Sequence, residues 1–367
     1  MKEESSAKII VQDVLRVKRG ERVLIVANPS MNLIAQEIYE AAQELDAKTV
    51  LMYQSTKTSF DNAEEEVIAA IASNPDVCIS VSAIKLGKDA KAAAKPYITE
   101  SGESFDHAFD YLLDGKKSMR AVWMPGITQS MYERTVQINY ADLAKRCATL
   151  EKLYENAVSV KVTSPGGTDV LVPIQNRKAM NDNGDFSKPG SGGNIPAGEV
   201  FISPVVGDGN ESGTHGTIVF DGSMTFSDGD ALLKTPITVK IEHGFVSDIL
   251  GGEEATRLKK TISEAESKAI AMEKDGRLPA GMGAVYKRNA RNIGELGIGL
   301  NPAATIAGNM LEDEKAFRTC HFAIGENYDN DAPALIHLDG VVKNPTIIFI
   351  YENGSERVIL KDGELQF

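Results

Sequence analysis

The chain has 367 residues, 42% of them hydrophobic, and a formal net charge of -13; the length predicts two domains with cores of their own, and the charge argues against a nucleic-acid partner, because phosphate binding needs a basic face. Cys78, Cys147 and Cys320 are odd in number and make no C-x-x-C pair, which suggests neither a disulfide framework nor a thiolate zinc site and suits a reducing compartment. The N-terminal MKEESSAKIIVQDVL is acidic and polar where a signal peptide is basic and then apolar, and no apolar run approaches the roughly 18 residues of a membrane span; a cytoplasmic protein without a membrane partner is expected.

From Gly20, GERVLIVANPS reads as a turn and a buried strand, NLIAQEIYEAAQELDA as an amphipathic helix, and KTVLMYQ as a second strand. PDVCISVSA and MRAVWMPGI read as further strands, and residues 5–17 as a helix packed on them, so the N-terminal part is predicted to be an open α/β layer. The turn after the first strand, VANPSMN, has no glycine, so it lacks the close pyrophosphate approach of a dinucleotide site.

ADLAKRCATLEKLYENA has helical spacing, and SVKVTSPGGTDVLVPI reads as a hairpin turning at Pro165-Gly166-Gly167. The domain boundary is expected near 140 to 157, giving an α/β domain over 1–150 and a metal-binding catalytic domain over 151–367. AMNDNGDFSKPGSGGNIPAG, dense in Gly, Asn, Asp and Pro, reads as a surface loop. GDGNESGTHG, from Gly207, lies between two predicted strands instead of opening a helix and reads as a hairpin loop, with His215 solvated, in preference to a phosphate cradle. Short strands, a long helix beginning at TRLKKTISEAESKAIAMEKDG and a final hairpin turning at Asn353-Gly354 make the C-terminal part mainly antiparallel β with helices.

Five histidines occur in the whole chain, and His321 and His337 lie close to carboxylates in its last 50 residues. In IHLDG, His337 and Asp339 stand at i and i+2, so on a strand both project from one face and can grip one cation or two adjacent ones. Glu199 ends a Gly/Pro stretch where a strand begins, and Glu295 sits among small apolar neighbours in NIGELGIGLNP. A carboxylate in such surroundings must be hydrogen-bonded, protonated or bound to a cation. A helix cap, an ion pair with Arg177, Arg288 or Arg291, and a metal all meet that need. Cys320 precedes His321 and on a strand points to the opposite face, so it reads as structural and not as a nucleophile. No G-x-S-x-G elbow or P-loop occurs.

Taken in order, NIPAGEVF, GELGIGLNP, the DE of LEDEK, CHFAIGENY and HLD resemble the motifs of the leucyl aminopeptidase family that includes aminopeptidase T and aminopeptidase S. The resemblance covers about residues 160 to 345. It implies a homodimer that removes N-terminal residues from short peptides with a water activated by two divalent metal ions. It implies that Glu199 binds one ion, that Glu295 bridges both, and that Glu314, His321, His337 and Asp339 complete the coordination. Tyr328, seven residues after His321, would lie at or near the metals, and Glu295 and Tyr328 would serve catalysis. The spacing of Glu314 from His321 is about two residues longer than in those aminopeptidases. An all-O and N ligand set suits Zn, Co or Mn. Some relatives of this fold resemble non-haem ferrous dioxygenases that open a dihydroxypyridine ring with two histidines and one Asp on a single iron. That activity and a catalytically silent binding module are the alternatives.

Overall fold

The computed structural model describes residues 5–58, 61–208 and 212–367. The chain divides into two compact units, Met1–Ala144 with Asp182–Ala197, and Lys145–Asn181 with Gly198–Phe367. The architecture is mixed α/β, with helices and large antiparallel sheets, as the patterning predicts.

In the first unit five strands lie in the order Gly192–Asn194, Arg120–Trp123, Val77–Val81, Arg22–Ala27 and Lys48–Tyr53, all parallel. The three inner strands read as near-continuous apolar runs because a parallel sheet is covered on both faces, and Val77–Val81 is buried throughout. Helix Asn32–Glu44 covers the sheet with Ile34, Ala35, Ile38, Ala41 and Ala42, the 3.6-residue repeat of one helical face. The helix expected over 5–17 is an α-turn at Ser6–Ile9 continued by a π-helical stretch at Ile10–Val14. Beyond the first strand, the Asn28 amide donates to the carbonyls of Gln54 and Ser55 at 3.0 and 3.1 Å and accepts from the Ala83 amide at 2.6 Å. That side chain ties together the carboxyl ends of three strands, where a nucleotide would lie in a dinucleotide fold.

The stretch expected to be a surface loop contributes short strands at Met180–Asp182 and Gly192–Asn194, the latter parallel to Arg120–Trp123. Its glycines are what allow this. A Cβ on Gly192 would stand 2.8 Å from the Ala121 carbonyl, and one on Gly193 2.3 Å from the Phe186 ring. The turn residues that read as loop chemistry therefore serve a close backbone approach.

Among the described residues the second unit has one sheet of eight strands and another of seven. The eight-stranded sheet contains both expected hairpins, Ala157–Thr163 with Asp169–Pro173 and Thr346–Tyr351 with Glu356–Lys361, each antiparallel. Helix Glu253–Lys274 matches the long helix read from the sequence. GDGNESGTHG differs from expectation: Glu199–Ile202 before it and His215–Phe220 after it belong to different sheets, so it is no hairpin. Its residues 209–211 lie outside the described residues. Among the described residues no helix is long and apolar enough to cross a membrane.

Candidate metal centre

Four adjacent strands of the seven-stranded sheet, His337–Lys343, Thr319–Gly325, Ile293–Gly299 and Glu199–Ile202, form the floor of the site. Their register sets Asp339 against Ala323 and Ala323 against Glu295, His321 against Gly297, Gly325 against His337, and Glu199 against Gly299. With a side-chain period of two, the odd-numbered residues share one face. Glu199, Glu295, His321, His337 and Asp339 thus rise from the same surface, among Gly297, Gly299, Ala323 and Gly325. The even-numbered positions, among them Leu296, Ile298, Cys320, Phe322 and Ile324, are buried apolar residues and anchor the sheet from its other side.

The small residues make room for the large polar ones. A Cβ on Gly297 would stand 2.1 Å from Nε2 and Cε1 of His321. Gly297→Ala is expected to push the imidazole off its position and to weaken metal affinity by about 10- to 100-fold, the loss typical of disturbing a ligand's support; titration of the variant with a divalent ion checks this. Cys320 is fully buried and its thiol pKa is raised by burial, consistent with a structural thiol.

Glu295 joins the two histidines. Its Oε1 lies 3.4 Å from His321 Nε2 and its Oε2 3.0 Å from His337 Nε2. His337 Nδ1 donates to the Glu326 carbonyl at 2.9 Å, which fixes the ring so that Nε2 faces Glu295 and also Asp339, whose Oδ1 is 3.3 Å away. Glu199 Oε2 stands 3.4 Å from His321 Nε2. Ligand atoms of Glu295, His337 and Asp339 lie within 4.8 Å of one another, as do those of Glu199, Glu314 and His321.

Glu314 reaches the cluster from a turn, not from the sheet. Helix Met310–Asp313 precedes it. Glu312 there accepts from the Thr305 amide at 2.6 Å, and Asp313 from the amides of Ala307 and Gly308 at 2.6 and 2.9 Å. These two acids hold the loop and leave Glu314 to the site. The next residue, Lys315, passed unmarked in the sequence. It is fully buried, and its Nζ donates to Glu199 Oε1 at 2.6 Å and to Glu314 Oε1. The need of a buried carboxylate for a positive partner was the signal that could have pointed to it.

The arginines considered as partners are engaged elsewhere. Arg177 pairs with Asp329 and Asp331, Arg291 with Glu266, and Arg288 lies over the Phe245 ring. Tyr328 meets the cluster through its ring, edge-on to His337 with centroids 5.3 Å apart and tilted against Phe201 at 4.9 Å; it is half-exposed.

Do these residues fit a metal ion? Donors bound to one ion at about 2.1 Å and at right angles lie about 3.0 Å apart, close to the 3.0 and 3.3 Å separations at His337. Asp339 Oδ1 and Glu199 Oε2 are buried with no hydrogen-bond partner, a costly state for a carboxylate that a cation relieves. Burial raises Glu199 to about 8 against the pull of Lys315. Burial also opposes the charged form of Glu295, yet hydrogen bonds from His321 and His337 hold it near 2. At His321 burial disfavours the imidazolium, but Glu295, Glu199 and Asp339 outweigh it and raise the ring to about 9. The donor set fits a divalent cation that takes the place of these protons.

The sign of the pH dependence follows. Glu199 and His321 have raised values, from 4.5 and 6.5, so without metal the folded chain holds protons that the unfolded chain releases. Their stabilisation is lost as pH rises from about 4.5 to about 8 and from about 6.5 to about 9 respectively. Glu295 acts at the other end, its contribution vanishing as pH falls from 4.5 toward 2. Thermal unfolding of chelated protein is therefore expected to move to lower temperature between pH 6.5 and 9, and added divalent ion to remove much of that loss, because a cation binds better once the protons are gone.

Imidazoles and carboxylates without sulfur, raised on one face of an antiparallel sheet, define a metal-binding protein. The family described as NicX, 2,5-dihydroxypyridine 5,6-dioxygenase, matches residues 130–323, more than half of the chain, and the chain belongs to that family. The 2,5-dihydroxypyridine 5,6-dioxygenase of Pseudomonas putida strain KT2440 is 31% identical over 118 residues, 32% of each chain, so the match spans about a third of that relative's length. The solved structure of the 2,5-dihydroxypyridine dioxygenase from Pseudomonas putida KT2440 is similar over 98% of this chain and 96% of its own, with a TM-score of 0.68 and 18% identity. Wild-type AmpT from Thermus thermophilus is similar over 99% and 98%, with a TM-score of 0.65 and 14% identity. At such identities these two likenesses establish a shared fold.

The family match overturns the aminopeptidase activity, the hydrolase class and the proteolytic role expected from the motifs. The likeness to aminopeptidase T holds as a likeness of fold. The physical reason is that a cluster of Glu, His and Asp on this sheet states that a cation is held there, and leaves the reaction to the number of ions and to what surrounds them.

Proposed function

We propose that the protein is a dioxygenase with a single ferrous ion that opens a dihydroxylated pyridine ring, 2,5-dihydroxypyridine being the substrate its family points to. The observation that carries the reading is the meeting of His321, His337 and Asp339 around Glu295 in a chain of that family. Two imidazoles and a carboxylate with positions left open suit non-haem ferrous iron. When bound, such an ion makes dioxygen reactive toward an electron-rich hydroxylated ring.

The chain's own residues have separable tasks. His321, His337 and Asp339 would hold the ion, and Glu295, with one oxygen toward the Nε2 of each ring, lies between the two imidazoles where the ion would take the place of their protons. The Glu326 carbonyl fixes the His337 ring through Nδ1. The Tyr328 and Phe201 rings beside His337 offer an aromatic wall against which a flat heteroaromatic substrate can stack, in contacts worth about 0.5–1.5 kcal/mol. Peptide substrates have no place in this reading.

The test is aerobic turnover by protein loaded anaerobically with ferrous ion. Loss of the ring's ultraviolet absorption with uptake of one dioxygen per ring is expected. Unchanged absorption with iron verified in the protein would overturn the reading.

A further inference from the structure

We infer that the Lys315 ammonium holds the place of a second cation, so that a ligand set sufficient for two ions binds one. This rests on the single-ion reading above. Glu199, Glu314 and His321 bring ligand atoms within 4.8 Å of one another, a second group beside Glu295, His337 and Asp339. Into it projects a completely buried lysine whose Nζ is 2.6 Å from Glu199 Oε1 and also donates to Glu314 Oε1.

Two observations mark this as a cation site and not a chance acidic cluster. Glu199 is 6% exposed, and its Oε2, 3.4 Å from His321 Nε2, has no hydrogen-bond partner. His321, 1% exposed, turns its Nε2 toward this oxygen. A buried carboxylate pair needs a positive counterpart, and Lys315 supplies it with a single charge carried on the chain itself. The same oxygens cannot serve an ammonium and a metal ion together. Paired metals share ligands about 3.5–4 Å apart, a distance at which an ammonium and a neighbouring divalent ion repel in a buried site. Lys315 thus reserves Glu199 and Glu314 for itself and leaves the ion to His321, His337 and Asp339. It is a positioning residue. Its position directly after Glu314 explains why both carboxylates can be kept in a chain that needs one metal.

The experiment is metal counting after equilibration with zinc, on the parent, Lys315→Met and Lys315→Arg, with folding checked by circular dichroism. Methionine keeps the length and removes the charge. The parent and Lys315→Arg are expected to hold about one ion per chain and Lys315→Met about two, because the freed carboxylates are hard anionic ligands. Unfolding temperatures with and without zinc guard against a variant that merely fails to fold. Lys315→Met is expected to be less stable than the parent in chelator and to gain more from zinc. A folded Lys315→Met that stays at one ion, a parent that already holds two, or a Lys315→Met that zinc does not stabilise would overturn the inference. The outcomes for Lys315→Met do not bear on ring opening by the parent, and a parent that holds one ion but leaves the ring intact sinks the proposed activity while leaving the role of Lys315 standing.

Discussion

Glu295→Gln is expected to lower ring opening by about a thousand-fold while the protein still folds, an effect of about 4 kcal/mol. The Glu295 carboxylate has one oxygen toward each imidazole, 3.4 Å to His321 and 3.0 Å to His337. Glutamine keeps the shape but turns one acceptor into a donor, so one of the two rings loses its orienting contact. The cluster also loses a negative charge that balances the ion. Breaking one side of a buried charged contact costs about 3–5 kcal/mol. The fold survives because Glu295 sits in a strand whose even-numbered neighbours, Leu296 and Ile298, carry the core packing. Ferrous affinity and turnover number, measured separately, check this: both should fall. A variant with full iron and full turnover would show Glu295 to be a bystander.

His337→Ala is expected to reduce bound iron from about one ion per chain to almost none, and turnover with it, because an imidazole nitrogen is a ligand that water replaces poorly. His337 is three-quarters buried, held by the Glu326 carbonyl on one side and aimed at Glu295 and Asp339 on the other. Removing it takes away the imidazole that both Glu295 and Asp339 face. Iron content by elemental analysis after gel filtration, beside the parent, gives the result directly. Iron retained at the parent's level would remove His337 from the centre.

Much of the site was legible because a strand has a period of two. His337 and Asp339 at i and i+2 announce one face, and Cys320 beside His321 announces the other. Glu295 was legible only as a carboxylate among small apolar neighbours, in need of a partner. The fold was legible where periodicity speaks, in the runs around Val23 and Val77, the helix Asn32–Glu44 and the turn at Gly354. It was not legible at residues 179–198, where glycines that look like loop chemistry permit close strand contact at Gly192 and Gly193. Lys315 was hidden for a different reason. Whether a lysine after a glutamate turns to solvent or to the core depends on the loop fixed by Glu312 and Asp313, which no local pattern encodes. The choice between peptidase and dioxygenase was misread from motifs that report ligands alone.

The most direct test is ring opening under isotopically labelled dioxygen, with the product weighed by mass spectrometry. Ferrous-loaded protein acting on 2,5-dihydroxypyridine is expected to give an opened product carrying both atoms of the labelled gas. A product labelled only from water, or no product from protein whose iron content has been verified, would contradict the account.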